Sequence, residues 1–183
     1  MNFFPELKFS LLSGVIPFVI YLTIFLITIY LFPRENRKRL YDRSNWTKKQ
    51  IIYTIISKII TLLIIILILF SLLTQKIYLI IIGSIVFVIG AIIMVNAIIT
   101  FCKTPLNKPV NKGIYKYSRN PQMVGIWTIF VSIGILTNSI SLILLIALHI
   151  LFANEFIKAE EESCIKKYGN EYMEYLKKIP RYF

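Results

Sequence analysis

Histidine occurs once in this chain and cysteine twice, so two kinds of chemistry are excluded from the start. Cys102 and Cys164 do not repeat at metal-ligand spacing and are too few for a disulfide framework, and one histidine does not complete a zinc site. Acidic residues are also scarce, 9 against 21 Lys and Arg, which leaves a net charge of +12. No basic surface exists apart from loops between apolar runs, which argues against a nucleic-acid partner. There is no long polar stretch to build a separate soluble domain, no internal repeat and no low-complexity linker. Nor does the N-terminus read as a cleavable signal: its apolar run is too long, Glu6 precedes it, and no small-residue cleavage site follows.

What the chain has in abundance is apolar surface. Hydrophobic residues make up 57% of the 183, and mean hydropathy is +0.71. A bilayer core of about 30 Å needs ~20 apolar residues per helix, and several runs reach that length. Spans are expected at about 10–32, 51–73 and 77–101. Lys58 lies near enough to the start of the second span to snorkel outward. Thr74-Gln75-Lys76 is short enough to fold the second and third spans into a hairpin. The apolar region 121–157 is too long for one span and carries the turn-forming Thr137-Asn138-Ser139, so it divides into helices at about 121–137 and 139–157. The expected fold is therefore all-α: one polytopic membrane domain over 1–183, with about five membrane-embedded helices, the last two a hairpin.

Charge orients these spans. The loop 34–50, the loop 102–120 and the tail 158–183 hold seven, five and six basic residues, 18 of the 21. Alternating spans place all three on one side, which the positive-inside rule makes the cytoplasm. The tail differs from the loops. Ile157, Cys164, Ile165, Tyr168, Tyr172, Tyr175, Leu176 and Ile179 recur at helical spacing. Gly169-Asn170 can close one helix and cap the next, and Pro180 ends the second. A cytosolic helix–turn–helix at the membrane surface is expected.

Two clusters on that side could carry chemistry. In GIYKYSRNPQMVG (113–125), Asn120 suits an N-cap and Pro121 the first helical turn. The free amides of that turn, with Arg119 beside them, make an anion site; the same residues also suit an ordinary capped helix with an arginine at the headgroups. Glu160-Glu161-Glu162 is an acidic run among basic loops. It is either a solvated face paired with Lys158, Lys166 and Lys167, or a pair of carboxylates suited to a cofactor bearing an amine and ribose hydroxyls. His149 precedes Glu160 by about three helical turns on the same face. A histidine inside a membrane helix is a functional candidate, and a buried polar contact between helices accounts for it as well.

The order G-x-Y-x-x-x-R-N-P-x-x-x-G, a helical hairpin, paired glutamates, Y-G-x-E-Y and a closing P-R resembles the isoprenylcysteine carboxyl methyltransferase and phospholipid methyltransferase superfamily over about 105–183. Arg119-Asn120-Pro121-Gln122-Met123-Val124-Gly125 stands for the superfamily's R-H-P-x-Y-x-G pattern, and Glu160 and Glu161 for its glutamate pair. Tyr172, Tyr175, Pro180 and Arg181 match its closing segment. The resemblance implies an integral membrane methyltransferase that uses S-adenosyl-L-methionine and takes a lipophilic or lipidated acceptor from the bilayer. It implies that the Arg119-Asn120-Pro121 region and the glutamate pair hold this cofactor; Arg119, with the helix start at Asn120, Pro121 and Gln122, is expected to take the methionine carboxylate. Glu160 and Glu161 would take the amine and ribose hydroxyls, and Tyr115, Tyr172 and Gly125 would shape the pocket. His149 would be the base if the acceptor is an amine. The expected acceptor is isoprenylcysteine-like, with a phosphatidylethanolamine-type N-methyltransferase as the alternative. Asn120 stands where carboxyl methyltransferases have His and phospholipid methyltransferases often have Asn, and Met123 replaces the usual Tyr. A membrane NADPH-dependent reductase of the steroid-reductase type is a more distant alternative.

Overall fold

A computed structural model of the chain describes residues 1–8, 13–39 and 46–183. The first turn of the first expected span (9–12) and the middle of the first basic loop (40–45) lie outside the described residues. Apart from isolated bridges, the regular structure of the described residues is helical: α1 (Val15–Tyr30), α2 (Arg34–Arg39), α3 (Lys48–Phe70), α4 (Ile77–Lys103), α5 (Pro121–Leu136), α6 (Ile140–Tyr168) and α7 (Asn170–Lys178). A 3-10 turn at Gly113–Lys116 precedes α5. Three helical stretches, Gln50–Phe70, Ile77–Lys103 and Ile140–Tyr168, are long and apolar enough to cross a membrane. The 16-residue α1 and α5 are shorter. At about 1.5 Å per residue they reach ~24 Å, less than a full hydrocarbon core.

Local signals explain where the helices start and stop. Thr47 and Gln50 form a reciprocal capping box at the head of α3, which satisfies two otherwise orphaned donors. Ser139 caps α6 by accepting from the Leu142 amide at 3.1 Å. The turn between α5 and α6 falls at Thr137-Asn138-Ser139 as the sequence suggests, with Asn138 in the left-handed region at φ 55°. Asparagine tolerates that conformation better than most residues. α3 ends at Phe70 because the chain beyond it turns extended and pairs with the N-terminal segment. Leu72 donates to the Glu6 carbonyl, and Lys8 donates to that of Phe70.

The packing is not that of a hairpin between α3 and α4. α4 lies along α5 and α3 along α6, while α3 and α4 hardly touch despite their short connection. Glycines decide this. A Cβ added to Gly125 of α5 would sit 2.6 Å from the Met94 amide nitrogen and 2.9 Å from the Gly90 carbonyl oxygen of α4. The two backbones meet directly at that crossing, as small residues permit between membrane helices. Outward, α3 and α4 expose Ile55, Ile59, Leu62, Ile81, Ile85 and Ile92. Such stripes suit lipid and would be an aggregation hazard in water.

α6 departs from expectation at its far end. No break occurs near residue 157; the helix runs unbroken for 29 residues, about 43 Å, well beyond a 30 Å hydrocarbon core. The expected turn is at Gly169, φ 58°, after which α7 folds back with Tyr172 and Tyr175 buried. The first helix of the tail is thus the end of the last span.

Candidate functional site

The basic end of the bundle gathers three separate stretches: the turn before α5, the last turns of α6, and the C-terminal segment after α7. Backbone contacts lay the C-terminal segment beside residues 118–120. The Arg119 amide donates to the Pro180 carbonyl at 3.0 Å. The Ser118 hydroxyl and the Asn120 side-chain amide donate to the Arg181 carbonyl at 3.2 and 3.3 Å. Asn120 therefore does not cap α5 through its side chain, as its place at the helix start suggested; it ties the C-terminus down instead. From α7, the Tyr175 hydroxyl donates to the Tyr115 carbonyl at 2.7 Å.

Glu161 lies at the centre of this arrangement, 7% exposed. His149, Ala153, Ile157 and Glu161 form the buried edge of α6 at successive four-residue steps. The carboxylate accepts a fork from Arg181, Nε at 3.2 Å and Nη2 at 2.7 Å, and meets Arg119 Nη1 at 3.4 Å. The third nitrogen of Arg181 donates to Asn154 Oδ1 at 2.9 Å. This planar, bidentate geometry is the one a guanidinium offers and an ammonium does not. The hydrogen bond to Glu161 raises the Arg181 pKa above its ordinary value. Two guanidiniums share one carboxylate, so the cluster keeps a net positive charge. Arg119 Nε is buried with no hydrogen-bond partner among the described residues. It lies beside the head of α5, where the amides of Gln122 and Met123 have no acceptor within the helix.

The neighbours of Glu161 diverge. Glu160 is half-buried and Glu162 exposed, and Glu162 accepts from Gln50 of α3 at 2.7 Å. Lys158 pairs with Glu155, not with the acidic run. Tyr172 is buried near the cluster. Burial raises its pKa well above the ordinary phenol, and Cys164 and Glu161 push it further in the same direction. It remains a neutral hydroxyl.

A polar chain leads from this cluster into the bundle. The Tyr182 hydroxyl donates to Asn154 Oδ1 at 3.2 Å, and its ring packs edge-on against Trp127 with centroids 5.4 Å apart. The indole N–H donates to His149 Nδ1 at 3.2 Å. His149 Nε2 lies 3.1 Å from the Ser57 hydroxyl and 3.0 Å from that of Thr61. An indole only donates, so Nδ1 is the acceptor and the neutral ring carries its proton on Nε2. Thr61 spends its own hydroxyl proton on the Ser57 carbonyl and so accepts from Nε2. His149 is held at both nitrogens. Beside it, residues of α1, α3, α5 and α6 line a half-open cavity of about 220 Å³.

The region 75–171, more than half of the chain, matches the model of the phospholipid methyltransferase family. The chain belongs to that family. Comparisons with curated proteins and with solved structures found no match. The family makes the chain a membrane methyltransferase.

The residues singled out from sequence do not all meet. Tyr115, Arg119, Asn120, Pro121, Gln122, Glu160, Glu161 and Tyr172 stand at the basic end. Gly125 lies a turn further down α5, against the α4 backbone. His149 is twelve residues before Glu161, about 18 Å along α6, and belongs to the cavity. Asn154, Trp127, Ser57, Tyr182 and the side chain of Arg181 have no site role in the sequence pattern alone. A signal existed for Asn154 and Ser57, polar residues on apolar membrane helices. None existed for Tyr182.

Proposed function

We propose that the chain transfers a methyl group from S-adenosyl-L-methionine to the headgroup amine of a phospholipid at the membrane interface. What supports the reading is the cationic Arg119–Glu161–Arg181 cluster, with its orphaned Arg119 Nε, in a chain of the phospholipid methyltransferase family. Such a cluster fits a cofactor that brings a carboxylate.

Arg119, together with the first amides of α5 at Gln122, binds that carboxylate. Glu161 fixes Arg119 and Arg181 in place. Glu160, half-buried beside it, takes the cofactor's amine or ribose hydroxyls. Tyr115 and Tyr172 wall the site, and Gly125 sets the α4–α5 spacing beneath it. S-adenosyl-L-methionine supplies a methyl on a cationic sulfur; the C–S bond breaks with its electron pair left on sulfur as a new C–N bond forms from the amine lone pair. The chain's task is to align the two partners and exclude water. A phospholipid amine is protonated near neutral pH and must first lose that proton. His149 at the cavity wall can take it at Nδ1 only when the Trp127 indole swings away. The basic end faces the cytoplasm, where its lysines and arginines meet anionic lipid.

Calorimetry of the detergent-purified protein with S-adenosyl-L-methionine tests the cofactor, and transfer of labelled methyl to phosphatidylethanolamine vesicles tests the acceptor. One cofactor per chain is expected, with affinity falling about ten- to a hundredfold in Arg119→Gln, the size of one charge-assisted contact. Absence of binding by the wild type overturns the cofactor. Transfer to a prenylcysteine carboxylate but not to phosphatidylethanolamine returns the acceptor to the isoprenylcysteine class.

A further inference from the structure

α3 lies outside the region that matches the family, and its sequence has a feature that membrane insertion does not ask for. Between Gln50 and Phe70 its side chains are apolar except for Tyr53, Thr54, Ser57, Lys58 and Thr61. Thr54, Ser57, Lys58 and Thr61 are spaced by three, one and three, which puts them on one face of a helix. All four line the same cavity, with His149, opposite an aromatic wall that includes Tyr21, Trp127 and Phe130. A lysine that only snorkels needs neither a cavity nor hydroxyl neighbours.

The polar groups that α3 offers to this space differ in what they have left to give. Thr54 gives its proton to the Gln50 carbonyl at 2.9 Å and Thr61 gives its own to the Ser57 carbonyl at 2.9 Å. Ser57 accepts from His149 Nε2 and so keeps its own hydroxyl proton. Lys58, an exposed residue, is the charged group among these lining side chains, with three protons to donate, no acceptor of its own and no ion-pair partner among the described residues. It stands ten residues inside the start of α3, about 15 Å along the helix. A cation this far along a membrane helix, at the edge of a cavity open to its surroundings, is a functional candidate, and its complement is an anion. The volume of about 220 Å³ is below that of an ordinary ligand pocket; it suits a small headgroup, with acyl chains left in the lipid.

We propose that this cavity is the acceptor's headgroup subsite and that Lys58 binds the phosphate of the phospholipid. The assignment rests on the proposed function for the identity of the acceptor, but it is tested by binding alone. The chain has two tryptophans, and Trp127 lines the cavity. In a Trp46→Phe background, brominated phosphatidylethanolamine in detergent micelles quenches Trp127 as it binds. Lys58→Met weakens that binding about ten- to a hundredfold, whereas Lys58→Arg keeps it within about threefold. Brominated diacylglycerol, which has no phosphate, binds weakly and equally to all three proteins. Equal phosphatidylethanolamine affinity for the Met and Arg variants overturns the proposal, and so does diacylglycerol binding as tight as that of phosphatidylethanolamine. A folded Lys58→Gln variant serves the same comparison should the Met variant not purify. Phosphatidylethanolamine binding that depends on Lys58, in a protein that binds no S-adenosyl-L-methionine, sinks the enzymatic reading while leaving the subsite standing.

Discussion

Replacing Glu161 by Gln removes one charge and keeps the side chain's shape. The carboxylate it replaces is 9% exposed and faces two guanidiniums, Arg119 at 12% and Arg181 at 25% side-chain exposure. Glutamine retains one acceptor oxygen, so the Arg181 fork at 2.7 and 3.2 Å loses one prong to an amide that presents protons to a cation. Arg119, already missing a partner at Nε, then faces Arg181 with no anion between them. Breaking a buried ion pair by removing one partner costs about 3–5 kcal/mol. Arg181 can turn partly to water, which places the loss near the lower end, about 3 kcal/mol. In a chain of this size such a loss lowers Tm by roughly 6–12 °C. Thermal melting in detergent followed by tryptophan fluorescence measures it. Glu162→Gln, at an exposed hydrogen bond to Gln50, should stay within ~0.5 kcal/mol of wild type. A second comparison isolates the coupling. Arg181→Gln should cost less in the Glu161→Gln background than alone, because both changes break the same contact. If Glu161→Gln melts within a degree or two of wild type, the cluster is not held together in the way described.

Two more expectations follow from the packing. Gly125→Ala forces a methyl against the α4 backbone 2.6 Å away and should destabilise by ~1–3 kcal/mol; Gly134→Ala meets only the Ile143 side chain within 3.5 Å, which can rotate aside, and should cost less in the same melting assay. Tyr175→Phe removes the hydroxyl that donates to the Tyr115 carbonyl at 2.7 Å and leaves that buried acceptor short of a donor. A loss of about 1–2 kcal/mol is expected, read as a lower Tm together with weaker S-adenosyl-L-methionine binding by calorimetry; an unchanged Tm would mean that α7 does not brace the turn before α5.

The apolar runs, the turn at Asn138 and the glycine after Tyr168 were legible in the sequence because each depends on composition or backbone geometry over a short window. Glu160 and Glu161 were legible as candidates because they are acids among basic loops, Arg119 because it stands beside a helix start, and the motif order pointed to the family. Three things were not. The end of the last span was expected at residue 157, where the side chains turn from apolar to charged; that boundary marks a change of solvent, and the hydrogen bonds of α6 continue across it. Chain adjacency suggested that α3 pairs with α4, yet close approach required glycine, which placed α5 on α4 instead. Glu161 read as a group free for a ligand, but its partners are Arg119, 42 positions earlier, and Arg181, 20 later. A local pattern shows which groups are charged; only packing decides which opposite charge stands within 4 Å, because that distance is set by how the helices meet.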